Sequence, residues 1–238
     1  MKTSLIVLLP LLAVSTALGA TYTVNGTSDL WLSGVASGTI ASTNDTLDNA
    51  APLDIAGIIG GTTYTFSVTG SVSNTPSASG LSPDGNSKSF IWHDAGPQNG
   101  ISNIYAPMNS LIGVFLDSTV SLSGEQGTAL NFGTNGSKHL STDFTTLSPA
   151  LNQVFFIGDG LSTSKNGKDT TTLIQTFVAP TGATRLFLGT MDGYEWNNNS
   201  GQFYVDMTVV PEPATYAALL GAATLGFVAV RRCRQRKD

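Results

Sequence analysis

A period of two runs through this chain, where a helix would need a period of 3.6. From Thr62 to Gly70, Tyr64, Phe66 and Val68 alternate with Thr63, Thr65 and Ser67. From Gly201 to Val210, Phe203, Val205, Met207 and Val209 alternate with Gln202, Tyr204, Asp206 and Thr208. Successive side chains of a strand point to opposite faces, so each run turns one apolar face inward. Leu111–Leu116, Gln153–Ile157, Leu173–Val178 and Arg185–Leu188 read as further strands. Val154-Phe155-Phe156-Ile157 is apolar on both faces, which predicts a central strand. Gly, Asn, Asp, Ser and Pro separate the runs, as turns require. Seven or eight such strands predict an all-β fold, a two-sheet β-sandwich. Ser73–Gly100 reads as one long irregular stretch, a kind of loop that is usually functional or mobile in a compact domain.

The two ends carry a different signal. Met1-Lys2, the apolar run Leu5–Val14 and the small-x-small signature Ala17-Leu18-Gly19 predict a secretory signal peptide over residues 1–19. At the other end, Val210-Pro211-Glu212-Pro213 precedes an uncharged run from Ala214 to Val230, and a basic segment, 231–238, begins with Arg231-Arg232. As a helix the run spans about 25 Å, enough for one short transmembrane helix over 214–230. Five of the eleven basic residues fall in the last eight positions, and such a cluster stays cytoplasmic. Composition alone fits a permanent anchor. The order of the parts resembles the PEP-CTERM sorting tail of Gram-negative bacteria, also called the ice-binding-protein C-terminal motif. That resemblance implies a tail, 210–238, read by an exosortase-type membrane protease through Pro211, Glu212, Pro213, Arg231 and Arg232. It also implies transient membrane anchoring and delivery to the cell envelope, the surface or an extracellular (biofilm) matrix.

Residues 20–209 are long enough for one domain with a real core. They contain no cysteine; Cys233, in the basic tail, is the single one. Fourteen acidic and five basic residues give this stretch a net charge of −9. That balance argues against nucleic acid, which needs a basic surface, and is compatible with cations.

The densest set of oxygen donors is Asp192-Gly193-Tyr194-Glu195-Trp196-Asn197-Asn198-Asn199-Ser200-Gly201. Calcium takes six to eight oxygens from carboxylates, amides and carbonyls, and this loop offers all three. The same composition also suits an ordinary Asn/Gly hairpin loop. Trp196 suits either a sugar-stacking platform or the core. His93-Asp94 and His139 show no third ligand at zinc spacing and read as loop or surface residues. Asp159-Gly160 with Asp169 reads as a polar surface loop or a second cation site. No nucleophile elbow, Walker loop or dinucleotide fingerprint is present, so the expectation is a protein that is not an enzyme.

Asn198-Asn199-Ser200-Gly201-Gln202-Phe203-Tyr204-Val205, preceded by Asp192, resembles the calcium loop and last strand of the PA-I type galactophilic lectins. The similarity runs from about Asp54 to Val209 and is sparse between motifs. It implies a galactose-binding, jelly-roll-like sandwich in which calcium bridges the protein to two sugar hydroxyls. It implies side-chain oxygens from Asp192, Asn198 and Asn199, and backbone carbonyls from Glu195 and Asn74. Gly96-Pro97-Gln98-Asn99-Gly100-Ile101 and Ala106-Pro107-Met108 resemble the loop that lines the sugar, implying contacts from Pro97, Gln98, Asn99 and Met108. Two departures bear on galactose specificity. Asp192 lies one residue closer to the asparagine pair, and Gly96 occupies the place of a sugar-contacting histidine. The expectation is a calcium-dependent, glycan- or exopolysaccharide-binding domain on an exported protein; the alternative is a structural or adhesive matrix protein without a ligand.

Overall fold

The computed structural model describes residues 20–35, 50–76, 79–117, 127–133, 139–163 and 172–211, together with 221, 224–226 and 232. The residues expected to form the signal peptide lie outside these. Of the expected transmembrane run, Gly221 and Thr224–Gly226 are described, all helical. Among the described residues no helix is long and apolar enough to cross a membrane.

Gly19–Val209 forms one compact unit, an all-β sandwich. With strands numbered in chain order, the first sheet runs β1 (Ala20–Asn25), β14 (Ser200–Val210), β3 (Thr63–Ser73), β12 (Thr176–Val178), β8 (Thr146–Leu147). The second runs β2 (Leu53–Ala56), β13 (Arg185–Thr190), β6 (Leu111–Leu116), β9 (Val154–Phe156). A small third sheet orders β4 (Phe90–Trp92), β5 (Ile104–Pro107) and β7 (Leu130–Asn131), and β10 (Leu161–Thr163) pairs with β11 (Thr172–Ile174). β12 pairs with β8 and β5 with β7 in parallel; β1 with β14, β12 with β3, β13 with β2 and β6, β6 with β9, β4 with β5 and β10 with β11 pair antiparallel.

The alternation read from the sequence sets the inward faces. Tyr64, Phe66 and Val68 of β3 are buried, as are Phe203 and Val205 of β14. The two large sheets meet through aromatic contacts: Phe155 lies 5.7 Å from Phe177, and Tyr64 lies 6.5 Å from Phe115. Phe177 also meets Phe66 edge-on at 5.1 Å. Such pairs add directional attraction to the area they bury.

Four expectations are corrected. Val209 is exposed and Met207 only half-buried, because β14 runs on past the end of the core. β9 is fully buried but stands at the edge of its sheet, not its centre. Its two apolar faces are explained by cover on both sides: Phe155 packs on Phe177 and Phe156 on Phe132. The run Leu173–Val178 is two strands in different sheets, parted at the buried Gln175. Ser73–Gly100 is not wholly irregular, since it contains β4 and an antiparallel bridge from Val72 to Leu81.

Candidate functional site

Four chain segments converge at one end of the sandwich: the exit of β3, the exits of β4 and β5, and the connection from β13 to β14. They enclose a cavity of about 270 Å³. Asn74, Asp192, Glu195, Asn198 and Met108 line it, with Ile91, Asp94, Gly193 and Tyr194. The structure therefore brings together residues that lie more than a hundred positions apart in the chain.

Asp192 forms the floor. It follows directly on β13, is 8% exposed, and its Oδ1 accepts from Gly193 N at 2.7 Å. Burial pushes its carboxyl up to about 6; hydrogen bonds from the Asn199 side chain and from the Gly193 and Tyr194 backbones oppose that shift, and the nearby Asp94 charge adds to it. Glu195 adopts the left-handed conformation, φ 58 and ψ 49, as the residue entering the 3-10 turn Trp196–Asn198. A non-glycine residue is uncommon there, and such geometry gathers at functional sites. The Glu195 carbonyl accepts from Asn198 N at 3.2 Å.

Asn199, expected as a ligand, does not line the cavity; it is 6% exposed. Its Nδ2 donates to Gly26 O at 3.0 Å, while its buried Oδ1 has no hydrogen-bond partner. An orphaned amide oxygen beside a desolvated carboxylate is the donor set a hard cation satisfies. The residues implied for calcium thus fit such an ion: carboxylate, amides and carbonyls, with no soft ligand except the Met108 sulfur, which faces the Asn74 amide at 3.6 Å. Among the described residues no three His, Cys, Asp or Glu side chains group as a metal site.

The expected sugar contacts separate. Met108 lines the cavity, but Pro97, Gln98 and Asn99 do not. Asn99 is turned inward, its Nδ2 donating to Trp31 O at 2.8 Å, and Gln98 and Ile101 exchange backbone hydrogen bonds. Trp196 is fully buried and its Nε1 donates to Thr190 O at 2.9 Å, so it has no face free for a sugar. It packs instead on Trp31 and His93, with centroids 5.7 and 5.6 Å away. His93 is likewise not a surface residue. It stacks on Trp31 at 3.9 Å, is 1% exposed, and its Nδ1 shares a 2.7 Å hydrogen bond with Gly96 O. Burial lowers its pKa to about 4. This aromatic cluster supports the cavity from below.

Asp94 and Tyr194 are the lining residues that sequence reasoning missed. Asp94 sat beside a histidine judged only for zinc, and its neighbour Gly193 is 99 positions away; Asp94 N donates to Gly193 O at 3.0 Å. Tyr194 stands within the oxygen-donor loop, where its side chain is assigned no role. For the other cation candidate, Asp169 lies outside the described residues, and Asp159 N donates to the Asp84 carboxylate at 3.0 Å.

Residues 209–234 match the PEP-CTERM protein-sorting motif. The motif implies an exported protein of the Gram-negative cell envelope or surface, with an exosortase-type processing partner. Of the residues implied for sorting, Pro211 is described and exposed, and Arg232 is helical and exposed; Glu212, Pro213 and Arg231 lie outside the described residues. No curated protein and no solved structure matches the chain, so these comparisons give the lectin resemblance no support.

Proposed function

We propose that this exported, exosortase-sorted protein binds glycan through calcium held at the Asp192–Asn199 loop. The observation that carries the reading is the convergence of Asn74, Asp192, Glu195 and Asn198 on one cavity with Met108. Asp192 supplies the negative charge, Asn198 and Asn199 supply neutral amide oxygens, and Glu195 and Asn74 supply carbonyls. Calcium, when bound, would accept two vicinal hydroxyl oxygens of a sugar in place of water. Glu195, with its left-handed backbone, stands between Asp192 and Asn198, both of which line the cavity. Ile91 and Met108 give the C–H face of a sugar ring an apolar contact.

The test is thermal unfolding of the protein across a calcium titration. A cation that binds only the folded state raises Tm with concentration, by about 2.7 kcal/mol of stability at a hundred times Kd. Asp192→Ala is expected to lose most of that shift, and Asn198→Ala part of it. Calcium-dependent retention on immobilised oligosaccharides is expected to follow the same order. No Tm shift and no heat of binding at millimolar calcium would return the loop to an ordinary Asn/Gly turn. The domain would then be the structural or adhesive module of the second reading.

A further inference from the structure

We propose that the cavity selects a sugar bearing a free ammonium group, recognised at its rim by the Asp94 carboxylate and the Tyr194 ring. This rests on the reading of the cavity as a glycan site and adds the chemical class of the ligand.

The two aspartates of the cavity differ in place. Asp192 is buried in the floor, under hydrogen bonds from its own loop. Asp94 is exposed and stands at the mouth. Its position is fixed by its own backbone, which donates to Gly193 O, and by the absence of a side chain at Gly193. A Cβ there would come within 3.3 Å of Asp94 Oδ2, so the carboxylate packs directly over the Gly193 backbone. The next residue, Tyr194, lines the same mouth and is 46% exposed. A carboxylate and an aromatic face at one rim are the two groups that attract an ammonium, one by charge and the other through the ring quadrupole. The phenol ring also offers the flat apolar surface a pyranose stacks on.

At the rim, charge disfavours the opposite class. No Lys or Arg lines the cavity, so an anionic substituent placed at Asp94, away from the calcium site, would meet a carboxylate with no protein cation beside it. At longer range the net negative charge of the domain acts in the same direction, favouring cationic ligands.

The experiment measures binding of the full-length protein, in saturating calcium, to three tetrasaccharides by calorimetry. They are a glucosamine oligomer, its N-acetylated counterpart and a galacturonate oligomer. The glucosamine oligomer is expected to bind roughly fivefold to tenfold more tightly than the acetylated one, the range of an exposed ion pair with a cation–π contact. The uronate is expected to be the weakest. Asp94→Asn is expected to bring the glucosamine to N-acetylglucosamine ratio close to one, and Tyr194→Leu to reduce it while weakening both. The calcium-induced Tm shift is the second readout, and it should survive Asp94→Asn. A preference that persists in Asp94→Asn would assign it to the general charge of the domain and overturn the proposal. So would loss of the calcium shift in that variant, which would make Asp94 a metal ligand. Calcium-dependent binding that ignores ligand charge overturns this inference alone. Absence of binding to all three oligomers, with or without calcium, overturns the glycan reading and this inference with it.

Discussion

His93 and Asp192 titrate in opposite senses within one small region of the fold. The native state holds His93 neutral down to about pH 4, against 6.5 for the free side chain, because burial disfavours its charge. Between those values the unfolded chain binds more protons, so this contribution is full above 6.5 and is lost as pH falls toward 4. Asp192 behaves inversely. Its folded value is raised from 3.8 to about 6, so its contribution is full below 3.8 and is lost as pH rises through 6. We expect His93→Phe, which keeps a ring against Trp31, to lose the Gly96 hydrogen bond, about 1 kcal/mol at neutral pH. Relative to wild type it should then regain about 2 to 3 kcal/mol between pH 6.5 and 4. Urea unfolding of both proteins in chelator, at pH 4 to 7, gives the difference and cancels the other carboxylates. A difference that stays constant with pH would show that His93 is not held neutral.

At the level of elements, β3 and β14 approach so closely that glycine is required on both. Gly201, with φ 83, faces the Ser71 carbonyl, and Gly70, with φ 98, faces the Gln202 carbonyl. A Cβ at either would overlap backbone, which cannot move aside as a side chain can. We expect Gly201→Ala to cost on the order of 2 to 4 kcal/mol, from the strained φ together with the clash. Gly57→Ala, with φ 84 but open space around it, should cost only about 1 kcal/mol. Chemical denaturation of the two variants compares them, and equal losses would mean that the close approach is unimportant. These long strands were readable because nine to eleven residues of alternation leave no other periodicity. The strands β4, β5, β7 and β8 are two to four residues long and carry no period at all. Strand order was not readable either: burial of both faces of β9 comes from the rings above and below it, not from hydrogen-bonded neighbours. The cavity was half legible. Asp192, Glu195 and Asn198 share one loop and Asn74 and Met108 came with the resemblance, but Trp196 in a polar loop gives no sign of pointing inward, and Asp94 is brought to Gly193 only by the fold.

At the scale of the whole chain, the candidate cavity and the sorting motif occupy separate stretches. The lining residues of the cavity all fall within the compact unit Gly19–Val209, whereas the sorting motif covers residues 209–234. A protease that reads the tail needs an accessible segment, and proline supplies one, since it lacks an N–H and disfavours helix in the residue before it. We therefore expect Pro211→Ala combined with Pro213→Ala to leave unprocessed protein in the membrane fraction. Removal of residues 231–238 should do the same. Neither change should alter the calcium-dependent Tm shift of the protein once it is extracted. Asp192→Ala should do the reverse, losing most of the shift while processing continues at the wild-type rate. Intact-mass measurement of the C-terminus, paired with calcium titration of the same preparations, reads both properties at once. A wild-type protein that keeps its full C-terminus in the mature cell would defeat the processing half. A tail variant that loses the calcium shift would show that the two stretches are energetically coupled, contrary to the independence their separation implies.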